Sequence, residues 1–215
     1  MQDASCCYHG AMAMPRLLIA TNNTHKVAEF RRLLDDVGYE LVIPSQVGLA
    51  LAVIEDAATF QANASLKGVA HAAASGLPSL ADDSGIEVDA LGGGPGIRSA
   101  RYGGPRLSDE GRVRLLLHEL RDVPWERRGC RYVTALVIAW PSGRQEVFEG
   151  ACQGVVTFAP VGVNGFGYDP IFHVPEAGRT MAELSAAQKD AISHRGLAAW
   201  RAAAVLRRET ASVRE

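Results

Sequence analysis

Residues 131–158 read RYVTALVIAWPSGRQEVFEGACQGVVTF, the clearest structural pattern in the chain. Two segments rich in β-branched and other apolar residues flank Pro141-Ser142-Gly143, a combination typical of a tight turn. The pattern predicts a β-hairpin with strands at 131–140 and 144–158. Because the strands of a hairpin pair antiparallel, the late part of the chain is expected to add antiparallel strands to a sheet.

The residues before this hairpin alternate between short apolar runs and helical patterns. Residues 17–20 predict a buried strand, and apolar residues at helical spacing from Val27 to Val37 predict a helix that ends at Gly38. The pattern predicts further strands at 40–43, 80–81 and 86–90, and further helices at 59–75, 108–120 and 193–206. Early strand–helix–strand order and a late hairpin predict a mixed α/β fold.

The organisation and charge of the chain exclude several classes of protein. No linker divides the 215 residues, so we predict one domain over 15–210 after a disordered extension over 1–14. The extension does not resemble a signal peptide, and no apolar run is long enough to cross a membrane. With a net charge of −2 and a pI near 6.3, stable binding to nucleic acid or membrane is not expected.

Cysteine usage indicates a reducing compartment. The four cysteines form no CxxC pair and no zinc pattern. Cys130 and Cys152 lie in apolar strand-like runs, where a small buried thiol is expected. We therefore predict a cytoplasmic protein.

The hexamer Thr21-Asn22-Asn23-Thr24-His25-Lys26 joins the first strand to the first helix. Free N–H groups at a helix start favour an anion, Lys26 adds a positive charge, and small polar side chains bond phosphate oxygens without crowding them. The spacing does not match a GxxxxGK[ST] phosphate loop. Taken alone, the hexamer is equally consistent with a helix cap and a solvated lysine.

Two adjacent carboxylates, Asp82 and Asp83, follow an apolar strand and precede Ser84-Gly85. Such a pair requires a compensating cation or donors, and carboxylate oxygens suit Mg²⁺. Because neighbours on a strand point to opposite faces, only one of the two is expected to face the metal. An Asx turn closed by Gly85 is the structural alternative. Glu55 is a third acidic candidate and, taken singly, is typical of surface charge.

Two later segments combine aromatic and cationic residues. In 165–170, GFGYDP, the glycines permit close approach of the backbone, and Phe166 or Tyr168 can stack on a flat ring. Lys189 and Ser193-His194-Arg195-Gly196 group donors near a helix start. The alternatives are an aromatic anchor of a tight turn and a solvated helix start. For Gly92 to Gly96 a structural loop is favoured over a phosphate cradle.

Taken in order, these motifs resemble the inosine triphosphate pyrophosphatase family of non-standard purine NTP pyrophosphatases. The resemblance runs from Leu17 to the last helix. It is carried by TNNTHK at 21–26, Glu55, FQANASLK at 60–67, ADDSGIEVDALGGGPGIRSARYGG at 81–104, GFGYDPIF at 165–172, AELS at 182–185 and ISHRG at 192–196.

The resemblance implies an elongated mixed sheet with flanking helices, two lobes around a long substrate cleft, and a homodimer. It also implies Mg²⁺-dependent hydrolysis of ITP, dITP and XTP between the α- and β-phosphates, which keeps deaminated bases out of DNA and RNA.

Site residues follow from the resemblance position by position. Asp83 is the implied proton acceptor, and the implied metal ligands are Glu55, Asp83 and, less directly, Asp82. The implied substrate-binding residues are Thr21, Asn22, Asn23, Thr24, His25, Lys26, Lys67, Ser84, Phe166, Gly167, Tyr168, Asp169, Lys189, His194 and Arg195.

One departure from the family pattern lies beside the metal site. The family commonly has Thr-Gly after the metal-site glutamate, whereas this chain has Asp56-Ala57. Two alternatives therefore stay open. One is a pyrophosphatase of another nucleotide specificity, and the other is a nucleotide-binding sensor without catalysis.

Overall fold

A computed structural model describes residues 14–212, which fold around seven β-strands. The prediction of a disordered extension therefore falls almost wholly outside the described residues. The strands are β1 (Arg16–Ile19), β2 (Glu40–Val42), β3 (Ser79–Val88), β4 (Gly129–Ala139), β5 (Gln145–Val156), β6 (Phe172–Val174) and β7 (Arg179–Thr180).

The α-helices have local start and stop signals that the sequence carries. They are α1 (Thr24–Leu33), α2 (Phe60–Ser75), α3 (Asp109–Glu119), α4 (Ala186–Ile192) and α5 (His194–Ser212). The side chains of Asn23, Thr59 and Ser108 cap α1, α2 and α3, and Gly76 ends α2 in the left-handed conformation. Helix α1 ends about one turn earlier than predicted, because Gly38 occupies a separate turn. Helix α4 was not predicted.

The strands form one mixed sheet in the order β2-β1-β3-β4-β5-β6-β7. Strand β1 is parallel to both β2 and β3, and every later pair is antiparallel. The predicted hairpin is β4–β5. The predicted mixed α/β fold, with helices flanking a central sheet, is confirmed. Within 14–212, no helix is long and apolar enough to cross a membrane.

The two short strands predicted around Asp82-Asp83-Ser84-Gly85 are a single strand, β3. The acidic pair lies in its middle, where Asp82 pairs with Leu136 and Asp83 with Ala135 of β4. The alternative of an Asx turn closed by Gly85 is therefore wrong. Gly85 is required for space, because a Cβ there would overlap the carbonyl oxygen of Gly96 and the hydroxyl of Ser99.

The hydrophobic core is built from three clusters on this sheet. One joins β1 and the first half of β3 to α1 and α5, and a second packs α2 on the opposite face of β4. The third joins Ile86 and Val88, at the far end of β3, to α3 and strands β4–β6. The polar residues in the middle of β3, Asp82 to Ser84, therefore lie between the apolar clusters.

Cys130 and Cys152 are buried free thiols, as predicted. Burial raises the pKa of both, to about 11 for Cys152, so they are inert packing groups. Cys6 and Cys7 lie outside the described residues.

Candidate active site

A cleft of about 350 Å³ opens over the middle of β3. It brings together fourteen of the predicted site residues: Thr21, Asn23, Lys26, Glu55, Lys67, Asp83, Ser84, Phe166, Gly167, Tyr168, Asp169, Lys189, His194 and Arg195. The predicted residues Asn22, Thr24, His25 and Asp82 do not line it. Residues from both ends of the described chain thus share one cavity.

The opposite orientations of Asp82 and Asp83 follow from the alternation of side chains along a strand. Leu80, Asp82 and Ser84 face α1 and α5, where Asp82 is buried against Lys26 and Arg195. Asp83 faces α2, where its Oδ2 accepts a hydrogen bond of 2.9 Å from Asn63. The two carboxylates therefore have different environments.

At the start of α1, the Asn23 side chain accepts hydrogen bonds from the backbone N–H groups of His25 and Lys26. This cap turns Lys26 toward the sheet, and its Nζ lies 3.0 Å from Asp82 Oδ2. Burial lowers the pKa of Lys26, and the adjacent Asp82 partly opposes this shift. The lysine lines the cleft at the end of β1, an edge where ligands bind in open α/β sheets.

Glu55 and Lys67 lie beside Asp83 on the α2 side of the cleft. Lys67 Nζ donates to Glu55 Oε2 at 2.7 Å. Burial raises the pKa of Asp83, and the charge of Glu55 raises it further. The hydrogen bond from Asn63 to Asp83 and the positive charges of Lys67 and Lys26 partly oppose this rise. A carboxylate whose ionised form is disfavoured in this way gains most from a nearby cation.

The donor chemistry here fits Mg²⁺. Within residues 14–212, no cluster of three or more carboxylate, histidine or cysteine side chains forms a closed metal site. Mg²⁺ is typically held by one or two carboxylates while water and phosphate oxygens supply its other ligands. Glu55 and Asp83 are two such carboxylates in one cleft. Asp82 is committed to Lys26 and Arg195, and its role as a metal ligand stays a prediction.

A chain of six alternating charges runs beside the cleft, with four members in the lining and two behind it. In order, it consists of Asp169, Lys189, Glu29, Arg195, Asp82 and Lys26. Lys189 bonds Asp169 and lies 2.9 Å from Glu29, while Arg195 lies 2.6 Å from Glu29 and 3.1 Å from Asp82. The chain links Asp169, which bonds the Phe166 loop, to Lys26 at the start of α1.

Glu29 and Asp82 stay ionised in this chain because their neighbouring cations outweigh the effect of burial. Burial opposes ionisation of Glu29, but Arg195 and Lys189 hold its pKa below the ordinary value. Lys26 and Arg195 hold the pKa of Asp82 far below its usual range in the same way. For Arg195, burial is offset by Asp82 and Glu29, which raise its pKa. The three cations balance three anions, so the network satisfies its own buried charge.

Phe166 lines the cleft among aromatic and cationic groups. Its ring stacks on His25 with centroids 5.1 Å apart, and Lys189 Nζ lies 4.8 Å from its centroid. Asp169 Oδ2 accepts the Phe166 backbone N–H at 2.9 Å and fixes this loop. The loop requires Gly165, because its φ is +74° and a Cβ there would overlap Asp169.

His194 is a neutral, buried group in the cleft wall. Burial lowers its pKa well below the ordinary value, and Arg195 and Lys189 add to the effect. Its ring stacks on Tyr132 at 4.7 Å. Within residues 14–212, His194 Nδ1 has no hydrogen-bond partner. In this part of the chain, the cleft wall therefore contains one buried ring nitrogen without a protein partner, close to Arg195 and Lys189.

Sequence reasoning missed several residues of the site. Those that line the cleft are Gly85, Ile86, Ser99, Ala100, Asp109, Arg112 and Tyr132. Behind the lining, Glu29 pairs with two cleft cations and Asn63 holds Asp83. Glu29 follows Lys26 by three positions, so their shared helix face was the available signal. Asn63 lies within the FQANASLK motif that carries the resemblance, and that membership was the available signal for it.

The fold and cleft together define a mixed α/β protein with a charged cleft where strand order and direction change, the place where such folds bind ligands. Comparison with known proteins narrows this class. Residues 17–205 match the Ham1 family, and the chain belongs to that family.

Related proteins cover most of the chain. A dITP/XTP pyrophosphatase of Symbiobacterium thermophilum is 50% identical over 190 residues, or 87% of this chain and 92% of that one. One from a strain of Thermus thermophilus is 48% identical over 183 residues, with 85% and 87% covered. A HAM1 protein from Coxiella burnetii superimposes with a TM-score of 0.82 and 35% identity, covering 90% of this chain and 98% of the other.

Proposed function

We propose that this protein is a Mg²⁺-dependent pyrophosphatase of deaminated purine nucleoside triphosphates: ITP, dITP and XTP. Water attacks the α-phosphorus, the α–β anhydride bond breaks, and the products are the nucleoside monophosphate and pyrophosphate. The observation that carries the proposal is one cleft lined by the Glu55 and Asp83 carboxylates, by Lys26 and Lys67, and by an aromatic and cationic group that includes Phe166, Lys189 and Arg195. Relatives named dITP/XTP pyrophosphatase support it.

The triphosphate occupies the end formed by Thr21, Asn23, Lys26 and Lys67 in this proposal. Glu55 and Asp83 would hold Mg²⁺, which supplies charge neutralisation of the phosphates when bound. Lys26 and Lys67 stabilise negative charge that accumulates on the leaving pyrophosphate. Thr21 and Asn23 add neutral polar groups beside the phosphates.

Asp83 is the proposed proton acceptor for the attacking water. A general base works best when its pKa approaches the working pH, and burial shifts the pKa of Asp83 in that direction. Positioned base catalysis typically contributes about 10²–10⁴-fold in rate. The Asn63 hydrogen bond to Oδ2 and the Ser84 backbone N–H on Oδ1 hold the carboxylate in place.

The nucleobase of the substrate is recognised by hydrogen-bond donors that lie near Phe166. Arg195 makes four hydrogen bonds, to Asp82, Glu29 and Ser84, and so keeps about one of its five N–H groups for a ligand. Lys189 bonds Asp169 and Glu29 and likewise keeps about one of three. Such donors suit the 6-oxo acceptor of hypoxanthine and xanthine, whereas the 6-amino group of adenine would face them as another donor.

The proposal assigns the enzyme to cleansing of the nucleotide pool, where it keeps deaminated bases out of DNA and RNA. It includes a cytoplasmic location, which the free thiols of Cys130 and Cys152 support. It also includes a homodimer, which rests on the family resemblance and which sedimentation analysis would test.

The test is pyrophosphate release from a panel of nucleoside triphosphates in Mg²⁺ and in EDTA. We expect ITP, dITP and XTP to be hydrolysed far faster than ATP, and EDTA to stop the reaction. Equal rates on ordinary or pyrimidine nucleotides would instead favour a pyrophosphatase of another specificity. Binding of ITP without product would favour a sensor.

A further inference from the structure

Asn63 is a fully buried side chain on α2 that joins two separate parts of the site. Its Nδ2 donates to Asp83 Oδ2 at 2.9 Å, and its Oδ1 accepts the backbone N–H of Ala57 at 2.9 Å. Ala57 lies two residues after Glu55. One amide therefore connects the strand that carries Asp83 with the loop that carries Glu55.

The orientation of this amide is determined by its partners. The Asp83 carboxylate only accepts hydrogen bonds and the Ala57 N–H only donates. A flipped amide would place acceptor against acceptor and donor against donor. The planar asparagine amide offers a donor and an acceptor from one group, and its length fits this buried distance.

Helix α2 holds the Glu55 loop at a second point, one turn further along. Lys67 follows Asn63 by four residues, so the two side chains project from one helix face. Lys67 Nζ bonds Glu55 Oε2 at 2.7 Å. Helix α2 packs on the sheet at Gly68, where an added Cβ would make ordinary contacts of 3.5 Å with Ala81 Cβ and 3.4 Å with Ala139 Cβ. Side-chain hydrogen bonds from α2 thus connect this helix to the Glu55 loop and to β3.

We infer that Asn63 is a positioning residue that sets the Asp83 and Glu55 carboxylates in the arrangement that a divalent cation requires. The inference rests on the proposed function, in which these two carboxylates hold Mg²⁺. The Asn63 bond occupies one direction on Asp83 Oδ2, and the Ser84 N–H occupies one on Oδ1. Each oxygen keeps a further lone pair for the cation, in an orientation that the two bonds fix.

The direct test is Mn²⁺ binding to the nucleotide-free protein, measured by electron paramagnetic resonance of free Mn²⁺. Two variants remove both hydrogen bonds: Asn63→Ala, and Asn63→Leu, which keeps the branched skeleton of four heavy atoms but replaces the polar atoms with methyl groups. Loss of a partner that orients a metal ligand typically weakens metal binding about 10–100-fold, and we expect a loss of that size in both variants. Wild-type Mn²⁺ affinity in a folded variant would overturn the inference.

The second measurement is the Mg²⁺ dependence of pyrophosphate release from ITP. We expect the half-saturating Mg²⁺ concentration to rise by a similar factor, with most of the wild-type kcat restored at saturating Mg²⁺. A merely structural defect would lower the amount of active enzyme at every Mg²⁺ concentration, so a loss of kcat without this shift would contradict the inference.

The matched control is Thr210→Val, which removes a buried hydroxyl bonded to the Val37 carbonyl, away from the cleft. It is expected to lower the melting temperature and to leave Mn²⁺ affinity unchanged. The two proposals fail separately: Mn²⁺ binding that depends on Asn63 in a protein unable to hydrolyse ITP would overturn only the proposed function. A wild-type protein that binds no Mn²⁺ without nucleotide would overturn the inference about Asn63, while pyrophosphate release in Mg²⁺ and in EDTA would still decide the proposed function.

Discussion

Asp82 and Asp83 are adjacent in the chain but have opposite environments. Asp82 is buried between Lys26 and Arg195, which lower its pKa. Asp83 faces the cleft, and its pKa is raised. The difference follows from one step along a strand, which reverses the face that a side chain occupies. The cleft-facing residue is therefore the one available for chemistry.

Asp83→Asn should reduce pyrophosphate release from ITP by at least about 10²-fold, because the amide cannot accept the proton of the attacking water. The side chain keeps its volume, so circular dichroism and the melting temperature should stay close to those of the wild type. The measurement is steady-state hydrolysis of ITP at saturating Mg²⁺. Near-normal turnover would remove Asp83 from its proposed role.

His194→Phe should narrow the preference for ITP over ATP. The new ring keeps the stacking on Tyr132 but removes a polar atom from the cleft, and an unmade buried hydrogen bond is worth about 1–3 kcal/mol. The measurement is the ratio of kcat/KM for the two nucleotides. His118→Phe, on the exposed side of α3, is the control. A ratio that stays the same in both variants would exclude His194 from base recognition.

Among the elements, the contact between α5 and β5 positions the residues that are proposed to bind the nucleobase. Helix α5 begins with His194 and Arg195, and its first turn lies directly against Gly150 of β5. A Cβ at Gly150 would overlap the carbonyl oxygen of His194. The absence of a side chain at one position of a strand thus determines where two cleft residues stand.

Gly150→Ala should therefore lower both stability and activity. Overpacking of this kind typically costs about 1–3 kcal/mol, and the displaced helix start would move His194 and Arg195. Urea unfolding and kcat/KM on ITP are the two measurements. Gly68→Ala is the matched control, since its Cβ would meet neighbours only at 3.4–3.6 Å. Equal stability of the two variants would contradict this account of α5 placement.

At the scale of the whole molecule, the six-charge chain ties α1, β3, the 165–170 loop, α4 and α5 into one unit. Glu29 is its central anion, since it pairs with both Lys189 and Arg195. Because its folded pKa lies below the ordinary value of 4.5, its contribution to stability is present above that pH. The contribution is lost as pH falls through the lowered folded pKa.

Glu29→Gln should lower the free energy of unfolding at pH 7 by about 3 kcal/mol, because it leaves buried cations without their shared anion. The decline of stability below pH 4.5 should also become shallower than in the wild type. Urea unfolding from neutral to acidic pH measures both effects. Asp36→Asn, in an exposed pair with Arg207, should cost less than about 1 kcal/mol. Equal costs for the two variants would contradict the role of the chain.

Local patterns in the sequence determined most of the elements. The hairpin, the capped starts of α1, α2 and α3 and the glycine stop of α2 were all predictable. Each depends on residues within one or two turns of the position concerned. The cleft-lining motifs were predicted from the resemblance to a known family, because each of them taken alone also had a structural alternative.

Only the tertiary structure decided how those motifs combine. Asp82-Asp83-Ser84-Gly85 has the composition of a turn, yet it is held as a strand by hydrogen bonds to β4, which lies much later in the chain. The same pairing determines which aspartate faces the cleft. Glu29 and Asn63 became part of the site because helices α1 and α2 pack on opposite faces of one sheet. Their partners are distant in sequence, so no local pattern could encode these contacts.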